Sequence, residues 1–437
     1  MVIQRGGAVT FTTAVGDGGN TAERQSTLRV ALAAAPRRPL LLATVVLAAS
    51  LAAYAGVCLT MRFQLADALV YRAEGQAAAG GHGLYDLRVT EWRLPATYPP
   101  FAAILFIPTA WPPLDVLRLA VTEANAVLLG LLAHLSFRFA GWPRRAALRP
   151  VGIILAVALG IWLEPVFQTL AFGQVNLALA CLVLWDLGRP DGARGKGIAI
   201  GIAAGIKLTP GLFAVYLLLS GRVRAAATAA ASFAGTVLLG WLVLPDASRD
   251  FWTHRIFQTE RVGKVWIVDN QSLQGLLARL LHTPAPGTVW LVADALTAVA
   301  GLAVAVLASR RGLETWGVLC AAVTALLICP ISWSHHWVYC VPMLAVLAAE
   351  ARRRPWRWAA VAAVAVAFTA RTMWIVHRPG GYVLHLPWWQ QPLASAYPLL
   401  GLAFLASAYL RVRGRRRTPP GQPTSSPASR SSASTIR

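Results

Sequence analysis

The segment PLLLATVVLAASLAAYAGVCLT, residues 39–60, runs for 22 residues without a charged side chain. As a helix it rises about 33 Å, enough to cross the hydrocarbon core of a bilayer. It exceeds the roughly 7–15 apolar residues of a secretory signal, and no small-residue cleavage pattern follows it, so the run is expected to stay as a span. The rest of the chain has the same character. Of 437 residues, 57% are hydrophobic and only 13% are charged, against about 25% charged in an ordinary soluble domain. That apolar content fills about twelve membrane segments. The expectation is an all-α, polytopic integral membrane protein.

The flanks differ in composition. Residues 1–38 are rich in Gly, Thr and Ala and read as a disordered cytoplasmic N-terminus. Residues 39–410 hold the apolar runs and read as one membrane domain. Residues 411–437 are basic, then Ser/Pro-rich, and read as a disordered cytoplasmic tail. The net charge of +22 would point to nucleic acid in a soluble protein. Here the arginines fall in short clusters between apolar runs, such as Arg144/Arg145/Arg149 and Arg352–Arg354. In such places they set orientation and meet anionic headgroups. Membrane lipids are therefore expected partners, and nucleic acid is not. The five cysteines show no paired or Cys/His ligand spacing, so neither a disulfide framework nor a metal site is expected.

With the arginine clusters inside, the intervening runs must cross in pairs. Residues 151–172 and 176–187 then form a hairpin with Gly173–Asn176 at its outer tip. Residues 245–272 form a long outer loop, and 314–330 with 337–350 carry Ser332–His336 at their tip. Tyr98–Pro113 holds five prolines and reads as a re-entrant or interfacial segment. Ile198–Ser220 reads as two short helices broken near Lys207 and Thr209-Pro210, or as one full span. Broken helices with a polar centre mark binding sites in membranes.

On this topology the chemically capable residues collect on one face: Asp67, Tyr71, Tyr98, Gln174, Asn176, Lys207, Glu260, Asn270, Gln271, Trp333, His335 and His336, with His82, His377 and Arg378 nearby. A transporter or flippase would bury such groups at the midplane between repeats, and no internal repeat is visible. An enzyme site at a membrane face fits better.

Five blocks carry a resemblance. Asp67-x-x-Val70-Tyr71, Leu84-Tyr85 and Tyr98-Pro99-Pro100-Phe101 form the first. Gly173-Gln174-Val175-Asn176 is the second and Gly205-Ile206-Lys207-x-x-Pro210 the third. Asp269-Asn270-Gln271-Ser272 and Pro330-x-Ser332-Trp333-x-His335-His336 complete the series. In this order they resemble glycosyltransferase family 87, the polyprenol-phosphate-mannose-dependent α-1,2-mannosyltransferases of actinobacterial envelopes, over about residues 40–410. The resemblance implies a GT-C type fold with a catalytic Asp in the first extracytoplasmic loop. It also implies a multi-pass enzyme of the cell membrane with its active site outside. The donor would be polyprenyl-phosphate-mannose and the acceptor an envelope mannolipid or lipoglycan. A relative using another lipid-linked sugar, such as arabinose, is the alternative within the class.

The implied reaction inverts the anomeric centre, which needs one base for the acceptor hydroxyl. Asp67, just past the first span, is the candidate; partial desolvation there would raise its pKa toward a useful range. The leaving group is a lipid monophosphate. Without an Asp-x-Asp motif for a cation, Lys207, His335 and His336 are the candidates to hold it, and no cofactor is implied. Tyr71, Tyr98, Gln174, Asn176, Glu260, Asn270, Gln271 and Trp333 are candidates for sugar or acceptor contact. The amides serve equally well as helix caps, while for the tryptophan membrane anchoring is the favoured role.

Overall fold

The computed structural model describes residues 36–61, 63–81, 83–376 and 380–414. Residues 1–35 and 415–437, which carry most of the two expected disordered ends, lie outside it, as do His82, His377 and Arg378. In chain order the helices are α1 (Arg37–Met61), α2 (Ala66–Gly80), α3 (Pro100–Phe106), α4 (Leu114–Ala140), α5 (Arg149–Gly160), α6 (Glu164–Phe172) and α7 (Asn176–Leu187). Then come α8 (Ile198–Ile206), α9 (Gly211–Leu219), α10 (Val223–Val243), α11 (Pro245–Thr253), α12 (Leu273–Leu280) and α13 (Gly287–Arg310). The last are α14 (Glu314–Ile328), α15 (Cys340–Ala351), α16 (Arg357–Thr369), α17 (Thr372–Ile375), α18 (Gln391–Ala394) and α19 (Ala396–Gly414). Among the described residues β-pairing is limited to two isolated bridges, Val89 with Leu94 and Asn270 with Trp333. The protein is all-α.

Among the described residues four helices, α1, α4, α10 and α13, are long and apolar enough to cross a membrane, and two bent pairs bring the number to six if each is one span. Shorter apolar helices, among them α7, α14 and α16, accompany them. Apolar residues on the spans face outward, as Leu41, Leu42 and Leu59 of α1 do. Such a surface requires lipid around it.

One expected span is corrected. Residues 151–172 are not a single helix; α5 and α6 meet at a 75° bend. Pro165 is the cause. It has no N–H to give to the carbonyl of Ile161, so the chain restarts at Glu164 with the proline in the first turn, where the missing donor costs nothing. Residues 198–220 do form two short helices, α8 and α9, parted at Lys207–Pro210. The helix that carries the first apolar run begins two residues before it, at Arg37, and α19 continues to Gly414.

The chain divides into two compact units, each assembled from separated stretches. The first comprises residues up to 96, 103–188 and 335–371. Here Ser50 of α1 donates to Ala158 O of α5 at 2.6 Å and accepts from the Trp162 indole at 2.8 Å. Arg72 of α2 donates to Thr109 O at 3.1 Å and Pro112 O at 2.6 Å, while Tyr71 stacks on Phe106 with centroids 4.3 Å apart.

The second unit comprises 97–102, 189–334 and 372 onward. One close seam in it is α8 on α10. Gly197, Gly201 and Gly205 lie at four-residue spacing, and a Cβ on them would stand 2.2 Å from Ala225 O, 2.4 Å from Ala229 O and 2.2 Å from Thr236 Oγ1. Small residues at this interval let two membrane helices approach backbone to backbone. Elsewhere in this unit Arg222 pairs with Glu314 at 2.6 Å, and Trp316 stacks on Phe404 with centroids 5.1 Å apart.

Candidate functional site

Three segments converge in the first unit. Asp67 stands half-buried in the first turn of α2, between the buried Ala66 and Ala68. Leu65, just before it, adopts a left-handed conformation at φ 49, a strained backbone of the kind that clusters at functional sites. Gly173 ends α6 at φ +69, and a Cβ there would lie 2.8 Å from Ala68 Cβ and 3.3 Å from Leu65 Cδ2. Only glycine fits both the conformation and the approach. The end of α6 is thereby pressed against the turn that bears Asp67.

The same hairpin holds the histidines. His335 and His336 lie in the single turn Ser334–Tyr339. The backbone carbonyl of His335 accepts from Asn176 Nδ2 at 2.9 Å and lies 3.1 Å from Thr169 Oγ1. Phe172 meets the His335 ring edge-on, 5.3 Å between centroids. The end of α6 thus meets both turns, Gly173 against Ala68 and Phe172 against His335. The two imidazoles lie 4.9 Å apart with planes at 83°. His335 is buried and His336 half-buried.

The remaining candidates distribute between the units. Tyr71, in the first, is buried at 4% exposure against Phe106 and serves packing. Gln174 and Asn176 are buried at the hairpin tip; Asn176 is engaged with His335 and Gln174 Oε1 accepts from Val175 N at 3.2 Å. Lys207 belongs to the second unit, at the extended end of α8, with its ammonium 5.5 Å above the Tyr98 ring. Tyr98 is itself buried.

Asn270 and Gln271 act as backbone clamps. Asn270 Nδ2 donates to Val265 O at 2.8 Å and Pro330 O at 3.0 Å, while its Oδ1 accepts from Ser272 N at 3.2 Å and Ser332 N at 2.9 Å. All four valences of that amide are taken, which leaves it nothing for a sugar hydroxyl. Gln271 donates to Ala394 O at 2.8 Å and accepts from Tyr397 N at 3.1 Å. Of the two roles open to these amides, the local hydrogen-bonding one is realised. Trp333 bridges Asn270 and lays its indole on Gly263, where a Cβ would come within 2.6 Å. Glu260 is exposed on the rim of a cavity of about 440 Å³.

Sequence reasoning passed over several residues. Thr169 and Phe172 grip His335 but sit in an apolar run that carries no chemical signal. Arg371 follows the apolar α16, stands in a left-handed conformation at φ 52, and places its guanidinium 3.9 Å from the centroid of Phe167. A lone arginine closing an apolar stretch was the available sign. Arg279 is fully buried and donates to Ile267 O at 3.0 Å, Asn270 O at 3.1 Å and Ser395 Oγ at 2.9 Å. Burial pulls this guanidinium down to about 9, with the Asp269 charge opposing. Among the described residues no group of three or more His, Cys, Asp or Glu is placed to hold a metal ion.

Known proteins share this chain's pattern. Relatives in Mycobacterium tuberculosis and Mycolicibacterium smegmatis are named polyprenol-phosphate-mannose-dependent α-(1-2)-phosphatidylinositol mannoside mannosyltransferases. The first is 33% identical over 78% of this chain and 82% of its own length; the second is 32% identical over 83% and 87%. A second M. tuberculosis relative, a pentamannoside mannosyltransferase with the same donor dependence in its name, is 33% identical over 76% of this chain and 78% of its own. No solved structure matches the chain. The glycosyltransferase family 87 model matches residues 96–330, a stretch that takes in the Tyr98, Gln174, Lys207 and Asn270 blocks. A helical membrane protein that carries these blocks, and relatives of this extent, is a GT-C type enzyme: the chain belongs to glycosyltransferase family 87.

Proposed function

We propose that the protein transfers mannose from polyprenyl-phosphate-mannose to a hydroxyl of an envelope mannolipid or lipoglycan. The product is an α-1,2 linkage made with inversion, at a site on the extracytoplasmic face of the cell membrane. The observation that carries this reading is the convergence, within one unit, of the Asp67 turn and the His335–His336 turn on the same α6–α7 hairpin. A base and a pair of phosphate-binding groups are what a metal-free displacement on a lipid monophosphate needs.

In that reaction the acceptor hydroxyl oxygen attacks the anomeric carbon opposite the phosphate. The C–O bond to phosphate breaks, and its electron pair leaves with the phosphate oxygen. The hydroxyl proton passes to the Asp67 carboxylate. Lipid phosphate departs with added charge, which the imidazoles at 335 and 336 meet with hydrogen bonds. Thr169 and Asn176 fix the His335 backbone, so the ring is placed before substrate arrives and little reorganisation remains at the moment of transfer. Lys207 is a second phosphate candidate, tested separately by Lys207→Gln, which should raise the donor KM.

The primary test is Asp67→Asn. Purified in detergent, it should lose transfer by about 10²–10⁴-fold while its thermal unfolding matches wild type. Turnover near wild type would remove Asp67 as the base. Vesicle translocation of the lipid-linked sugar without transfer would instead support a carrier.

A further inference from the structure

Two helices of the first unit begin at arginines and run toward one buried ring. α1 starts at Arg37-Arg38, and α16 starts at Arg357, just past Arg352–Arg354. Toward the other end, Tyr54 and Phe63 meet Phe167 edge-on with centroids 5.5 and 5.6 Å away. Arg371 lays its guanidinium 3.9 Å from the centroid of the same ring. The arginines at the starting ends set orientation in the membrane. A cation at the opposite end of both helices has no part in that.

The backbone of Arg371 is left-handed at φ 52, a conformation kept only where the surroundings impose it. Its described contacts are aromatic: the Phe167 ring and, at longer range, the Tyr54 phenol. Among the described residues no carboxylate pairs with it and no acceptor takes its N–H groups. Arg72 of the same unit, by contrast, spends donors on Thr109 O and Pro112 O. Arg371 is half-buried, and its guanidinium nitrogens are not enclosed. A rigid fork of open donors on an aromatic shelf matches a phosphate, which takes two parallel hydrogen bonds. The depth also fits. Tyr54 lies six residues before the end of the 39–60 run and Phe63 three beyond it, so Phe167 stands within about 10 Å of that end. Lipid glycerol and phosphate groups occupy this level.

This place differs from the one given to the departing phosphate. Phe167 and Thr169 project about 200° apart on α6, and Thr169 lies against the His335 carbonyl, so Arg371 and His335 meet different sides of that helix. We infer that Arg371 binds a second lipid phosphate, the phosphodiester of the acceptor, and so selects a phosphoglycolipid over a phosphate-free one. The inference rests on the proposed mannosyl transfer for the word acceptor, but not for the binding of a lipid phosphodiester.

The test uses the full-length protein in detergent, with binding measured on the Asp67→Asn background so that no turnover intervenes. The probes are a phosphatidylinositol mannoside, a mannosyl diacylglycerol without phosphate, phosphatidylglycerol and polyprenyl-phosphate-mannose. The phosphatidylinositol mannoside should bind at least about tenfold more tightly than the mannosyl diacylglycerol, and adding Arg371→Gln should close that gap. Arg371→Lys, which keeps the charge and loses the fork, should recover part of it; it also carries the reading should Arg371→Gln fail to fold. In kinetics on the otherwise wild-type chain, Arg371→Gln should raise the acceptor KM about tenfold and leave the donor KM in place. An affinity for the phosphatidylinositol mannoside that ignores both substitutions overturns the site. So does a loss confined to polyprenyl-phosphate-mannose, which would mark a donor contact, or one confined to phosphatidylglycerol, which would mark a bulk-lipid anchor. If the phosphatidylinositol mannoside binds through Arg371 but the wild-type chain transfers no mannose to it, the functional proposal falls while the phosphate site stands.

Discussion

Gly173→Ala tests whether the packing that sets the Asp67 turn against the α6–α7 hairpin governs activity. Two costs add. Gly173 sits at φ +69, and the left-handed conformation costs an alanine about 1 kcal/mol. The new methyl would also stand 2.8 Å from Ala68 Cβ, 3.0 Å from Val121 Cγ1 and 3.3 Å from Leu65 Cδ2. Overpacking of this kind costs about 1–3 kcal/mol. Gly141 supplies the control, because it ends α4 at φ +62 with nothing within 4 Å of an added Cβ. Gly141→Ala therefore carries the conformational cost alone. The expected destabilisation is about 1 kcal/mol for Gly141→Ala and about 2–4 kcal/mol for Gly173→Ala. Relief of the clash shifts α2, and the neighbour of Ala68 is the proposed base. Misplacing a reacting group by an ångström costs up to about 100-fold in rate. Thermal unfolding in detergent and initial rates of mannosyl transfer should be measured on the pair. Gly141→Ala should turn over like wild type, and Gly173→Ala should lose about 10- to 100-fold in kcat. Equal behaviour of the two variants in both assays would refute the argument that this contact positions the carboxylate.

Further expectations concern stability and topology. Asn270→Ala strips partners from two amides and two carbonyls, at about 1–3 kcal/mol for each group that water cannot reach; its unfolding midpoint in detergent should fall sharply, and an unchanged midpoint would contradict the clamp. The hydrogen bond from Lys196, 2.8 Å long, holds the Asp191 carboxyl below the usual carboxylate range. Its stabilisation is thus full above the unfolded value of about 3.9 and disappears as pH falls through the lowered folded one. Because Asp191 is two-thirds exposed, the effect stays below about 1 kcal/mol; Asp191→Asn should speed amide exchange in loop 188–197 at neutral pH, with the difference closing in strong acid. For orientation, exposed His254 and Arg353 are suitable labelling sites. An impermeant thiol reagent should reach His254→Cys in intact cells and Arg353→Cys only after lysis, and the reverse pattern would invert the proposed topology.

Much of the architecture was legible because the solvent is legible. A run such as 39–60 has no alternative to a helix in lipid, where each backbone polar group must find an internal partner. Lys207 and Thr209-Pro210 announced the break between α8 and α9 through a charge and a missing donor. The 75° bend at Ile161–Leu163 escapes a hydropathy reading because the average over a long apolar run passes over the single Glu164-Pro165 pair inside it. At the site, Asp67, His335 and His336 were visible as chemistry in loops. Thr169, Phe172 and Gly173 were not, since their roles are contacts with residues distant in sequence. The amides of 270 and 271 look identical as letters whether they bind sugar or backbone, and only the count of hydrogen bonds separates the two. Arg279 becomes informative only once the fold shows that it is enclosed and by what.

The glycine ladder of α8 has a consequence for anyone ranking variants of this enzyme by tolerance. Positions 197, 201 and 205 oppose carbonyls and a threonine hydroxyl of α10 rather than a yielding side chain, so even alanine forces the two rods apart. A saturation scan will register a stripe of lethal sites, one every turn, on a helix whose contribution is assembly. Loss of product at those codons reports failed insertion or folding, and expression level must be measured beside turnover before any of them is credited with chemistry.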